Sequence, residues 1–325
     1  MSAPLNVLIP HASWQRVRHA VTAMREVSPI LLDDNGILMN ADGEPVEVEI
    51  HVAWHNFEIG RSALRTFRDI LRTSHSIELV QTAAAGLDSP FFKELLDRQI
   101  TLCNSDAQAL SIAEYAIAGI LNAYHDFPAR RRMQAEQSWQ RYPFRELSGS
   151  NCLIVGYGNI GKRIAKRLLA FEVNVSVIRR SSEELGGISQ TGTLADLPVL
   201  LPEADIVVLA CALNESTSQL MNRRTLGICK QGCVLVNVAR GDLVDEHALL
   251  ECLDAGKIQH AVLDVFAEEP LPESHPFWSS DRITLSAHTS NAGSGREARG
   301  DELFLSNLRA LLAKGPLLNH VNSQP

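Results

Sequence analysis

Three short segments put side chains of complementary proton chemistry just beyond apolar runs. Val236-Asn-Val-Ala-Arg240-Gly241-Asp242 places a guanidinium after one such run. Leu263-Asp264-Val-Phe-Ala-Glu268-Glu269-Pro270 places carboxylates after a second, and Leu285-Ser-Ala-His288-Thr-Ser places an imidazole after a third. An imidazole near a carboxylate is suited to proton transfer around neutral pH. A guanidinium is always charged and forks onto carboxylate or carbonyl oxygens. Singly, each has a plainer reading: Arg240 as a surface cap, Glu268 and Glu269 as a charged turn, His288 as a structural histidine. Together, at three strand ends where open α/β sheets bind ligands, they predict an acid–base site.

A glycine-rich turn supplies the second chemistry. Gly156-Tyr157-Gly158-Asn159-Ile160-Gly161 follows the apolar run Cys152–Val155 and precedes the helix-like run Lys162–Leu169. In that setting Gly156 permits the tight turn, Gly158 lets backbone N–H groups approach a pyrophosphate, and Gly161 allows close helix–strand packing. The helix N-terminus adds partial positive charge, so a dinucleotide site is expected. At the end of the next strand, Val173–Ile178, an NAD site would carry a carboxylate. Arg179-Arg180-Ser181-Ser182 stands there instead, with no acid until Glu183. Two guanidiniums and a hydroxyl suit a 2′-phosphate, each charged hydrogen bond contributing ~1.5–3 kcal/mol, roughly 10- to 150-fold in affinity. The pattern therefore predicts NADP(H) as preferred cofactor with NAD(H) as the alternative; the competing reading is a solvated arginine pair.

The elements that must position these groups follow from periodicity. Residues 5–9, 50–54 and 77–81 read as strands, with a helical pattern around 60–72. A long apolar helix spans 111–123, with Glu114 near its start. The polar, basic stretch 130–140, ending near Trp139, reads either as an arm that packs on a partner subunit or as a solvated helix face. From Cys152, strands at 152–156, 173–178, 205–210, 233–237, 260–264 and 283–286 alternate with helices, 185–192 reads as a loop, and a last helix spans 296–313. Such alternation predicts a parallel sheet with helices on both faces.

The 325 residues suffice for two domains, and 45% hydrophobic with 21% charged residues is ordinary for a soluble protein. A net charge of −8 argues against a nucleic-acid partner. No apolar run is long enough to span a membrane, and the opening Met-Ser-Ala-Pro carries neither a basic nor an apolar leader, so a cytoplasmic protein is expected. The six cysteines form no CxxC pair, and no metal is expected.

The glycine turn, Val236–Asp245, Leu263–Leu271 and His288 together resemble the D-isomer-specific 2-hydroxyacid dehydrogenase family, well over about residues 76–321 and loosely before that. The resemblance implies that Arg240, Glu269 and His288 are catalytic, with Arg240 and His288 also touching substrate. It implies a loop, Ala84-Ala85-Gly86-Leu-Asp88, whose Ala85 and Gly86 amides hold the substrate carboxylate, and places Asp264 at the nicotinamide carboxamide. Cys211, Ala212, Thr217, Val238 and Ala239 join the cofactor-binding set. Trp54, with its neighbours Ala53 and His55, is a candidate pocket wall, with core packing as the competing reading for Trp54. The chain departs from the family pattern at Ala287 and Ala212, where Pro is usual, at Asn291, where a small residue is usual, and at Glu172, where a helix-ending Gly is usual.

The implied architecture is α/β, two Rossmann-like/flavodoxin-like domains with parallel sheets and an active site in the interdomain cleft. The substrate domain would comprise 1–102 plus 290–325, and the dinucleotide-binding domain 103–289. The implied activity is reduction of a small 2-oxoacid by NAD(P)H to the D-2-hydroxyacid, and the Arg pair is similar to that of NADPH-preferring glyoxylate/hydroxypyruvate reductases. A homodimer through the cofactor domains is implied, with 125–145 as candidate contact. The alternative on the same fold is a dinucleotide-sensing, corepressor-like binding protein.

Overall fold

The computed structural model describes residues 4–321. Among them the chain forms two compact units, each around its own sheet. The first unit begins β1 Leu5–Pro10, α1 His11–Thr22, β2 Val27–Leu32, β3 Leu38–Met39, β4 Val52–His55, α2 Arg61–Thr73, β5 Leu79–Thr82, α3 Pro90–Asp97 and β6 Thr101–Cys103. Its six strands lie in the order β3-β2-β1-β4-β5-β6. Side-chain alternation along these strands feeds two cores. Val7, Ile9, Val52 and Trp54 face Trp14, Val17 and Val21 of α1 and, from the end of the chain, Phe304 and Leu308. Leu8, Ala53 and Val80 face Phe67 and Leu71 of α2 and Phe91, Phe92 and Leu95 of α3. Each such side chain, fully buried, contributes ~1.5–3 kcal/mol.

The second unit carries α4 Ala109–His125, α5 Phe127–Ala135, β7 Asn151–Val155, α6 Asn159–Ala170, β8 Asn174–Ile178, β9 Gln190–Gly192, α7 Leu197–Leu200, β10 Ile206–Leu209, α8 Arg223–Ile228, β11 Cys233–Asn237, α9 Glu246–Asp254, β12 Ile258–Leu263 and β13 Ile283–Leu285. The last helix, α10 Arg296–Leu312, returns to the first unit. The seven strands of the second unit run parallel in the order β13-β12-β11-β10-β7-β8-β9. From β7 the chain winds outward through β8 and β9, then restarts at β10 on the other side. The crevice outside the carboxyl ends of β7 and β10 is therefore the switch point where ligands bind in such sheets. One face packs on α4 and α6, through Ile112, Ala116, Ile120, Ile164 and Leu168. The other packs on α7, α8 and α9, through Leu197, Leu226, Leu249 and Leu253.

Several expectations need correction. β2, β3, β6 and β9 were not anticipated, and β9 lies inside the stretch read as a loop. The first sheet is not wholly parallel, because β2 and β3 pair antiparallel. The unit boundaries fall later than 102/103 and 289/290: the first unit closes at Gln108 and resumes at Ser294, and the second runs Ala109–Gly293. Residues 104–107 stay with the first unit because Ser105 N–H donates to Ala84 O, Asn104 Nδ2 to Ala85 O, and Arg299 Nε to Ala107 O. Ser290 stays with the second through Asp264. Glu172 adopts the left-handed conformation (φ 60°) that the usual Gly would take, its carboxylate accepting from Ser148 Oγ. The basic stretch is only half helical, since α5 ends at Ala135.

Candidate active site

The second unit brings Arg240, Glu269 and His288 to the carboxyl ends of three neighbouring strands, β11, β12 and β13. His288 Nδ1 lies 2.8 Å from Glu269 Oε2. The other Glu269 oxygen accepts the Phe266 amide at 3.0 Å, which aims the carboxylate. Both side chains remain more than a third exposed, open to a ligand. Behind Arg240, buried Asn237 locks the turn by donating to Arg240 O and accepting from Ala239 N–H. Gly241 then passes so close to the next loop that a Cβ would lie 1.9 Å from the Phe266 carbonyl carbon. That approach sets the Arg240 turn directly against the segment that carries Glu269.

His288 itself sits at φ 53°, a conformation that costs a non-glycine residue ~1–2 kcal/mol. Asp264 holds it there. This carboxylate, 1% exposed, takes Ser286 Oγ at 2.6 Å and the Thr289 and Ser290 amides at 2.9 Å on one oxygen, and Ser290 Oγ on the other. Its own carbonyl accepts the His288 amide at 2.8 Å. Asp264, expected at the nicotinamide carboxamide, turns both oxygens towards the loop that presents the imidazole. Ala287 needs no proline for this, because Asp264 supplies the rigidity. Glu268 plays no part in the pair with His288.

The glycine turn behaves as its chemistry requires. Gly156 has φ 102°, and a Cβ there would lie 2.5 Å from Ala210 O. A Cβ at Gly161 would lie 2.0 Å from Gly156 O, whereas one at Gly158 would meet only open space. The turn thus leaves a cradle at Gly158 and the N-terminus of the twelve-residue α6, which fits a dinucleotide pyrophosphate. The adjoining open groove, about 710 Å³, is lined by Gly156, Tyr157, Gly158, Arg179, Arg180, Cys211, Ala212 and Thr217 of the expected set. Asn159, Ile160, Gly161, Ser181, Val238 and Ala239 do not line it. Gly161 lies beneath the turn, Val238 and Ala239 are buried, and Ser181 Oγ donates to Glu183 at 3.3 Å. Glu183 also lies 3.9 Å from Arg179, so a carboxylate already faces the arginine edge. Burial pushes the Cys211 thiol up to about 11, which makes it a wall rather than a nucleophile.

Sequence reasoning missed Thr193, Leu194, Ala195, Asn214 and Ser216 in this wall. A signal existed for Thr193: Thr193-Leu-Ala-Asp196 is a capping box, with both reciprocal bonds formed. Asn214 was legible as a turn former, its Oδ1 accepting from Ser216 N–H and Oγ.

In the first unit, Ala85 and Gly86 lie just past β5. Thr82 O and Ala84 O accept Gln81 Nε2 and the Ser105 amide, and Ala85 O accepts Asn104 Nδ2. The carbonyls are therefore drawn inward, while the Ala85 and Gly86 amides donate to nothing within the unit among the described residues. Trp54 is 2% exposed and stacks on Phe304, centroids 5.3 Å apart and planes 5° from parallel. It is a core residue first, and only its edge meets a small cavity beside Arg16, Asn56, Glu58 and Asp301. Arg16 holds Glu58 below the usual carboxylate range, and burial pushes Asp301 up. Among the described residues, no cluster of three metal-ligating side chains occurs and no helix is long and apolar enough to cross a membrane.

A family model described as D-isomer specific 2-hydroxyacid dehydrogenase, NAD binding domain, matches residues 117–290. The chain is 32% identical to a hydroxypyruvate reductase of Thermotoga maritima, over 70% of this chain and 75% of that one. It is 28% identical to a D-3-phosphoglycerate dehydrogenase of Methanocaldococcus jannaschii over 82% of this chain, but spans only about half of that longer relative, 51%. A D-isomer specific 2-hydroxyacid dehydrogenase from Xanthobacter autotrophicus Py2, solved with NADPH and MES, superposes with a TM-score of 0.77 at 25% identity, covering 99% of each chain.

Proposed function

Since this chain belongs to the D-isomer-specific 2-hydroxyacid dehydrogenase family, NAD(P)-dependent oxidoreductases acting on CH–OH groups, we propose that it reduces a small 2-oxoacid of the glyoxylate or hydroxypyruvate type to the D-2-hydroxyacid. The observation that carries this reading is the 2.8 Å contact between His288 and Glu269 beside the Arg240 turn. When bound, the nicotinamide dinucleotide supplies the hydride. Gly156–Gly158 and the α6 N-terminus hold its pyrophosphate, and Thr193, Asn214 and Thr217 line its groove. Arg179 and Arg180 take a 2′-phosphate, which supports NADP(H) over NAD(H). With Nδ1 engaged by Glu269, His288 presents Nε2 as the proton donor to the oxygen that becomes a hydroxyl. Arg240 polarises that carbonyl, and the inward-drawn Ala85–Gly86 loop offers amides to the substrate carboxylate. We place the protein in the cytoplasm as a homodimer through the 125–145 stretch.

The test is the initial rate of NADPH and NADH oxidation with glyoxylate, hydroxypyruvate, pyruvate and phenylpyruvate. Turnover with NADPH preferred is expected. His288→Asn should abolish turnover with NADPH binding nearly intact, and Arg179→Ala with Arg180→Ala should narrow the cofactor preference. Cofactor binding without turnover of any of the four acids would favour the dinucleotide-sensing protein instead.

A further inference from the structure

His55 and Thr82 end β4 and β5 and stand opposite each other in register. Thr82 Oγ1 lies 2.9 Å from His55 Nδ1, and the same oxygen accepts the Ala84 amide at 3.1 Å. The imidazole is ringed by Phe67, Phe91 and Phe92, with centroids 5.4, 6.0 and 5.6 Å away. That apolar box, with Arg68 nearby, disfavours an imidazolium. A neutral ring has one donor and one acceptor nitrogen, so in either tautomer Nδ1 shares one hydrogen bond with Thr82 Oγ1, which still has a lone pair for Ala84 N–H. On the other side of the loop, buried Gln81 donates to Thr82 O, Cys103 O and Asn104 O, and its own oxygen accepts Asn307 Nδ2 at 2.6 Å.

The loop after β5 is thus held at both its carbonyl and amide sides, and the Ala85 and Gly86 amides donate to nothing within the unit among the described residues. We propose that His55 and Thr82 are positioning residues for substrate binding: a hydrogen-bonded strut that fixes the Ala84 amide and thereby aims the Ala85 and Gly86 amides at the substrate carboxylate. The proposal rests on reading those amides as the carboxylate site. Neither residue touches substrate or moves a proton in the reaction. Loss of the strut loosens an interaction made equally in the ground state and the transition state, so the effect falls on KM rather than kcat.

The experiment uses the full chain with glyoxylate and hydroxypyruvate as substrates and NADPH binding followed by fluorescence. Thr82→Val keeps shape and removes the hydroxyl. His55→Phe keeps an aromatic ring in the box and removes the hydrogen-bonding nitrogen, and serves if Thr82→Val does not fold. Each should raise KM for the oxoacid roughly 5- to 100-fold with kcat and NADPH affinity within about twofold of the parent. Thr82→Ser, which restores the hydroxyl, should recover most of the parental KM. An unchanged KM in Thr82→Val, or parallel losses of kcat and NADPH affinity, overturns the strut. Ala85→Pro deletes one amide outright and separates the two failures. A raised KM there with Thr82→Val unaffected refutes the strut alone, and an unchanged KM there refutes the carboxylate reading on which it stands.

Discussion

At Gly241 the loops that carry the acid–base groups leave no room for a side chain. A Cβ would collide with the Phe266 backbone at 1.9 Å, so Gly241→Ala must part the segments that carry Arg240 and Glu269. Overpacking costs ~1–3 kcal/mol, and a shift of about 1 Å at a reacting group costs roughly 100-fold in rate. The expected result is a kcat lowered at least roughly tenfold with NADPH affinity retained. A parental kcat would show that the close approach does not set the Arg240–Glu269 arrangement. Arg240, Glu269 and His288 stood out as candidates because each follows an apolar run in the sequence. Trp54 offered two readings, pocket wall or core, because the ring that covers it, Phe304, lies roughly 250 positions away and nothing local announces it. The partners of Asp264 were hidden for a similar reason: the serines that claim its oxygens come from the next strand's loop.

Between β4, α2 and α3, the aromatic box around His55 gives the first unit an acid sensitivity. Desolvation first, and Arg68 second, lower the His55 pKa from 6.5 to about 4. Below pH 6.5 the unfolded chain binds a proton that the folded chain refuses until about pH 4, so stability rises with pH across that window. The integrated loss on acidification reaches up to about 3 kcal/mol. Urea melts from pH 7 to pH 4 should show this slope, and His55→Gln should flatten it; an identical slope in the variant would place the sensitivity elsewhere. The elements that sequence missed share a cause. β2 carries Pro29, which signals against a strand, yet it stands opposite Val7 of β1 and outside the pairing with β3, which reaches only Leu31 and Leu32. β9 is Gln-Thr-Gly, too short and polar to show alternation, and forms because β8 offers it an edge. The alternating βα units of the second sheet, by contrast, were plain from their apolar runs.

For the whole molecule, the stretch from α5 to Phe144 carries several exposed aromatic rings. Trp139 is fully exposed, and Phe127 and Phe144 are nearly half exposed, on one short span with Arg130–Arg132. Aromatics beside arginines are the composition of interface cores. Sedimentation of the purified protein should give a dimer, and Trp139→Asp with Phe144→Asp should shift it towards monomer; an unchanged mass would assign that span to solvent. The two separated pieces of the first unit also impose an order on synthesis. Phe304 and Leu308 of α10 cover one face of a sheet whose last strand, β6, is made roughly 200 residues earlier. At ~5–20 residues per second the ribosome leaves that face covered by α1 alone for about 10–40 s, while the second unit is completed in between. The nascent chain therefore carries a half-finished sheet past a finished one until the α10 residues emerge.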